Sequence, residues 1–279
     1  MQHRRPGRVF VGLLMLLANA AWSDSKILAT SGGQQFEGQA GGGVVPWAVL
    51  SGYGDVGEWG GSVAATQVRV DDFDLRVIGA SASFGNRVEI SAARQKLEVQ
   101  PLSLTIEQLI IGTKFRLAGD LVYGPLPAIT AGVLWKDNKD SAVPFALGAE
   151  EDTGSEFTLS AAKLWLSGLA GRNVFANLTL RNTDANQTGF LGFGGPNGSR
   201  QWLAEGSLGV FLNRHWVAGL EYRDKPNNLA AVQEDAWWDA FVGWFPNKRV
   251  SVIGAYTDLG DIAGLPDQTG FYLSLQLTQ

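Results

Sequence analysis

From about residue 59 onward, apolar and polar side chains alternate in runs of about ten residues, and clusters of Gly, Asn, Asp and Pro separate the runs. The last run is the plainest. Phe271, Leu273, Leu275 and Leu277 fall on one side of an extended chain and Tyr272, Ser274, Gln276 and Thr278 on the other, because successive side chains of a strand point to opposite faces. Val174, Ala176, Leu178 and Leu180 oppose Asn177, Thr179 and Arg181 in the same way. Leu109, Ile111, Phe115 and Leu117 oppose Lys114 and Arg116, and Trp216, Ala218, Leu220 and Tyr222 oppose Gly219, Glu221 and Arg223. The period predicts strands near 60–69, 74–84, 88–97, 108–117, 121–135, 157–166, 173–182, 202–211, 215–223, 237–245, 249–258 and 270–278. That is about twelve, or about fourteen if residues 44–53 and one further run are recruited.

Connection lengths separate the candidate folds. Tight turns are expected at Phe84–Arg87, Ala118–Asp120, Leu212–Arg214 and Phe245–Lys248, and longer polar connections at 97–107, 136–156, 183–200, 224–235 and 259–269. A barrel with brief periplasmic turns and long outer loops produces this alternation directly. A soluble β-sandwich also alternates apolar and polar positions, but nothing in its connectivity requires that rhythm. The expected fold is therefore all-β: an antiparallel up-and-down transmembrane β-barrel of about 12 strands (range about 12–14) over residues 59–279. Its expected location is the bacterial outer membrane, with the periplasm as the alternative.

Within that frame the polar faces become a lumen. Lys114, Arg116, Arg181, Glu205, Glu221, Arg223 and Asp239 are the expected lumen-lining charges, since a charge on the lipid side costs about 2–4 kcal/mol at mid-depth. Trp135, Trp165, Trp202, Trp216, Trp237 and Trp244 fall at or near strand ends and are the expected interfacial aromatics. The chain carries 36 Gly, 10 Trp and 14 Phe, a composition suited to twisted strands and aromatic belts rather than to helices.

The amino terminus differs. Residues 1–23 combine Arg4, Arg5 and Arg8, the apolar run Val9–Leu17, and small residues that end at Ala21 and Ser23, the three parts of a secretory signal peptide. Cleavage after Ser23 is expected, with cleavage after Ala20 as the alternative. Residues 24–58 are Gly-rich around Val44–Leu50, with Pro46 awkward for a central strand. They are expected to form a flexible leader ending in an edge strand, the alternative being a plug folded into the barrel. No other run is long enough for a membrane helix, which needs about 20 apolar residues.

Composition narrows the chemistry. With no Cys and only His3 and His215, thiolate sites and multi-histidine metal sites are excluded. The formal charge is −5; loss of the three signal arginines reduces Lys+Arg from 22 to 19 against 27 acids, giving −8, which argues against nucleic acid as a partner. Glu205–Gly209 lacks the first Gly of a nucleophile elbow, and Gly189–Gly195 lacks dinucleotide-binding spacing. The latter is expected to be a compact loop. The acidic groups Asp71, Asp72, Asp74 and Glu150, Glu151, Asp152 are expected to be solvated rather than calcium-bound. No catalytic residue, metal site or cofactor is assigned.

The leading functional expectation is a non-catalytic pore or structural barrel, its lumen open or filled. A soluble periplasmic β-protein binding a ligand or partner is the second reading. A membrane-embedded lipid-modifying enzyme using His215 is the third. The partners implied are outer-membrane lipid, the barrel-assembly machinery and small solutes.

Five stretches then carry a resemblance: AGGGVVPWAVLSGYG (40–54), FGNRVEISAARQ (84–95), GFLGFGG (189–195), LEYRDKPNNL (220–229) and AYTDLGDIAG (255–264). In this order they resemble a proteobacterial family catalogued as domain of unknown function 3034, over about residues 30–279. The resemblance implies an exported, barrel-like protein and supplies no activity, substrate or catalytic residue. One departure concerns insertion: outer-membrane barrels commonly end on an aromatic residue, whereas this chain ends Leu277-Thr278-Gln279.

Overall fold

The structure, a computed structural model, describes residues 26–279. The expected signal peptide (1–23) lies outside the described residues.

Twelve strands follow the sequence periodicity closely: β3 (Trp59–Val70), β4 (Phe73–Phe84), β5 (Val88–Val99), β6 (Leu104–Ala118), β7 (Ala128–Asn138), β8 (Thr153–Leu169), β9 (Arg172–Thr183), β10 (Gln201–Phe211), β11 (Trp216–Arg223), β12 (Trp237–Asn247), β13 (Val250–Asp258) and β14 (Thr269–Thr278). Each pairs antiparallel with its neighbours in sequence, and β14 closes on β3 from Gly270↔Val70 to Thr278↔Ser62. The sheet is a closed barrel without an edge, so every strand finds both hydrogen-bonding partners within the chain.

Two connections differ from expectation. The tight turn at Ala118–Asp120 is a longer excursion: β6 ends at Ala118 and β7 begins only at Ala128. Pro125 and Pro127 occupy the interval, and proline cannot donate to a strand ladder. The long connection expected at 97–107 is instead a single 3-10 turn, Gln100–Leu102, because β5 and β6 extend towards each other. The remaining long connections, 139–152, 184–200, 224–236 and 259–268, share one rim, and the chain ends of the barrel lie on the other. Turn length assigns the latter rim to the periplasm.

The barrel wall inverts the pattern of a soluble protein. Leu178, Leu208, Leu220, Leu273 and Ile78 stand exposed on the outside, while Arg181, Glu205, Glu221 and Gln95 are buried inside. An outward apolar belt of this extent needs hydrocarbon around it, and the outward charges Arg69, Arg76, Arg94 and Lys96 stand on the outer-rim halves of β3, β4 and β5. Aromatics flank the belt at both rims: Trp59, Trp165, Trp216 and Trp244 near the periplasmic turns, and Trp135, Trp202 and Trp238 near the outer loops. Trp216 and Trp244 stack across β11 and β12 at 5.8 Å between ring centroids. This is the arrangement of an outer-membrane barrel.

Trp237 corrects the expected aromatic set. It faces the lumen, 7% exposed, against Phe36, and Trp238 takes the outward place. The period of two decides this, since Trp237 shares its face with the inward Asp239.

Between residues 31 and 54 the chain is neither an exposed leader nor an edge strand. Residues 31–54 are buried without a break. They include a two-stranded hairpin, β1 (Gly33–Gln34) and β2 (Ala40–Gly41), enclosed by the wall. Glycine-rich chain is disordered when only water surrounds it; here the wall supplies the hydrogen-bond partners.

Candidate functional site

The lumen is the site, and charge organises its centre. Glu37, in the hairpin turn, accepts from Arg223 Nη2 at 2.9 Å and Nη1 at 3.0 Å, and from Lys136 Nζ at 2.5 Å; Arg181 Nη2 lies 3.2 Å away. Glu156 accepts from Arg181 Nη1 at 2.6 Å and pairs with Lys136 at 2.8 Å. Glu205 accepts from Arg181 Nε at 2.5 Å and sits 3.4 Å from Arg223 Nε. Three cations thus face three carboxylates, all buried. The wall alone would hold Lys136, Arg181 and Arg223 against Glu156 and Glu205, so Glu37 of the plug supplies the balancing charge. An uncompensated charge in such a place costs several kcal/mol.

A second set of contacts holds the plug by its backbone. Lys114 Nζ donates to the carbonyls of Ala40 (2.7 Å), Trp47 (3.0 Å) and Val49 (3.2 Å). Beside it on the neighbouring strand, 3.9 Å from Lys114 Nζ, Glu89 accepts from the N–H groups of Ala40 (3.1 Å) and Ser51 (2.7 Å). Glu221 gathers four donors: Gly43 N (2.7 Å), Val44 N (2.8 Å), Trp47 Nε1 (3.1 Å) and Ser207 Oγ (2.6 Å). Asn177 and Thr179 complete the seat by donating to Pro46 O at 3.2 and 2.9 Å. Irregular backbone survives at membrane depth only where such partners exist.

All seven charges singled out in the sequence lie on the inward face. Arg181, Glu205 and Arg223 join the central network, Lys114 and Glu221 grip the plug, and Arg116 stays near the periplasmic rim, donating to Gly119 O at 2.8 Å and to Asp120 at 3.3 Å. Asp239 is 4% exposed beside the plug, and neither of its oxygens meets a hydrogen-bond partner among the described residues.

Four further members were not singled out. Lys136 and Glu156 belong to β7 and β8, which run further into the interval 136–156 than its polar composition indicated. Glu89 lies within an expected strand, on the face carrying Ser91 and Gln95, and the period alone would have placed it inward. Glu37 has no periodic neighbourhood to reveal it.

The acidic clusters and His215 have local roles. Asp74 pairs with Arg69 at 2.8 Å, Asp72 accepts from Gln268 Nε2 at 2.9 Å, and among the described residues no group of three His, Cys, Asp or Glu could hold a metal. His215 Nδ1 hydrogen-bonds with Phe245 O at 2.7 Å, and its Nε2 accepts from Arg214 Nε at 2.8 Å.

The outer mouth is closed by the GFLGFGG loop, residues 185–195 being buried. Asn138 Nδ2 donates to Phe190 O at 2.8 Å, Lys136 to Thr188 O at 2.9 Å, and both oxygens of Glu234 accept from Gln187 N at 2.8 Å. Gly189 is required at its place: its φ is +104°, and a Cβ there would lie 2.3 Å from Gln108 Oε1. Lys225 Nζ donates to Gln187 Oε1 at 3.0 Å and lies 3.8 Å from Glu234. Burial in this lid pushes the Glu234 carboxyl up to about 7 and, against the pull of Glu234 and Asp235, the Lys225 ammonium down to about 8.

With this geometry in view, the family whose description reads "Protein of unknown function (DUF3034)" matches residues 30–276 of the chain. No curated protein matches it. Among solved structures, a KdgM porin is similar at 10% identity and a TM-score of 0.50, over 77% of this chain and 98% of the porin. The Acinetobacter baumannii outer membrane protein Omp33 follows at 11% identity and 0.49, over 78% of this chain and 97% of its own. The NanC porin gives 9% identity and 0.48, over 78% and 98%. At such identities the likeness is one of fold.

Proposed function

This chain belongs to the DUF3034 family, and we propose that it is a non-catalytic outer-membrane channel closed by its own amino-terminal segment, which admits small solutes when residues 31–54 leave the lumen. The chemistry of the boundary between plug and wall carries the reading. A barrel filled for support alone needs no charge inside, since apolar side chains of similar volume fill a core as well as buried ion pairs or better. Here the inward face bears Lys114, Lys136, Arg181 and Arg223 with Glu89, Glu156, Glu205 and Glu221, among Ser, Thr and Gln. Once the plug has gone, that surface can take up water. Insertion by the barrel-assembly machinery belongs to the same reading, supported by a last strand, β14, that alternates regularly and closes the barrel.

Planar-bilayer conductance tests it. The full chain is expected to be closed nearly all the time, and a variant lacking residues 31–54 to show steady ohmic steps. A deletion variant that keeps the heat-modifiable gel migration of a folded barrel, yet stays silent across several salts, would leave a structural barrel as the better reading.

A further inference from the structure

The lumen changes character towards the periplasm. Along β9 the inward side chains run Arg181, Thr179, Asn177 and then Phe175; along β11 they run Arg223, Glu221, Gly219 and then Val217. β8 ends this face on Leu164 and β12 on Phe245. Together with Phe211 and with Trp47 of the plug, whose ring lies 4.3 Å from that of Phe175, these side chains enclose a pocket of about 440 Å³ beneath residues 27–30. That volume falls within the range of small-molecule sites, about 300–1,000 Å³. A rim facing water gains nothing from an unfilled apolar lining, and the periplasmic side is the one left accessible, since the GFLGFGG loop covers the other.

The charges on the pocket have one sign. Arg172, which opens β9, and Arg214, on the turn between β10 and β11, are its charged lining residues, and among the described residues no Asp or Glu lines it. Arg214 is oriented rather than loose. The Phe245 carbonyl beside His215 Nδ1 keeps a proton on that nitrogen, leaving Nε2 to accept from Arg214 Nε. We propose that this periplasmic pocket binds a single-chain amphiphile, with its alkyl chain between Phe175, Val217 and Phe245 and its anionic head, a carboxylate or a phosphate, at Arg172 and Arg214. The site stands independently of the channel reading, because it requires neither an open lumen nor a moving plug.

Isothermal titration of the full chain in phosphatidylcholine nanodiscs tests it, with protein-free nanodiscs as the blank. Dodecanoate and dodecyl phosphate are titrated in parallel to identify the head group, and dodecanol serves as the uncharged counterpart. Saturable one-to-one binding of either anion is expected. Leu164→Trp and Val217→Phe, each of which fills the pocket, should abolish it. Arg172→Ala combined with Arg214→Ala, at exposed positions where the fold is not at stake, should weaken anion binding about fivefold to tenfold and leave dodecanol unchanged. Heat no greater than that of empty nanodiscs, or undiminished binding by both filled variants, overturns the site. Equal affinity for dodecanol and the two anions overturns the role of the arginines. The readout is binding alone, so silence in a conductance experiment leaves this inference standing, and a lack of binding leaves the channel reading standing.

Discussion

Glu37 and Arg223 lie 186 residues apart and meet inside the barrel through two hydrogen bonds, 2.9 and 3.0 Å long. The Arg223 guanidinium is also 5.2 Å from the Phe36 ring and 5.8 Å from that of Trp237. Plug and wall therefore share one charge-balanced, aromatic-shielded contact, and loosening it is the most direct way to disturb the closed state.

Glu37→Gln should leave three buried cations facing two carboxylates. Breaking one side of a buried ion network costs about 3–5 kcal/mol. The plug is expected to leave its seat while the barrel persists. Protease cleavage within residues 31–54 and a higher open fraction in bilayers would register this, and an unchanged cleavage pattern would contradict it.

Gly42→Ala should have a similar effect for a steric reason. A methyl group there would lie 1.9 Å from Glu221 Oε1, and four donors hold that carboxylate in place. Overpacking of this kind costs about 1–3 kcal/mol. Thermal release of the plug, followed by the fluorescence of the inward Trp47 and Trp237 in a variant lacking the outward tryptophans, should shift to lower temperature.

The outer lid should respond to pH in both directions. The Glu234 carboxyl rises from 4.5 to about 7 in the folded lid, so its contribution is full below 4.5 and is lost as pH climbs through 7. The Lys225 ammonium falls from 10.5 to about 8, so its contribution is full above 10.5 and is lost as pH drops through 8. The lid is expected to be weakest between about 7 and 8. Amide exchange at residues 186–191, corrected for intrinsic rate, should peak there. In Glu234→Gln, the rise in exchange from pH 4.5 to 7 should disappear.

Leu178→Arg places a charge midway along the outward face of β9. Unfolding by urea from phosphatidylcholine vesicles should show a loss of about 2–4 kcal/mol. No loss would mean that this face does not meet hydrocarbon.

Much of the architecture was legible in the chain because side-chain alternation is a local property. Leu178 and Arg181 take opposite faces whatever the rest of the protein does, so the strands and their inward charges could be located one run at a time. Trp237 was legible too, through its parity with Asp239, although its place at a strand end pointed to the interface. The extent of β7 and β8 was harder to read, since Lys136 and Glu156 sit in sequence that is polar enough for a loop.

Alone, then, the sequence determined about twelve alternating strands and which side chains share a face of each, because these depend on neighbours two residues away; that the apolar faces turn outward to meet hydrocarbon was decided by the fold. Closure of the sheet decided the rest: which acid meets which base, that residues 31–54 lie within the lumen, and that Phe175, Val217 and Phe245 converge on one pocket. Those contacts join residues far apart in the chain, and a flexible glycine-rich segment acquires a single conformation only when a surrounding wall presents Lys114, Glu89 and Glu221 to its backbone.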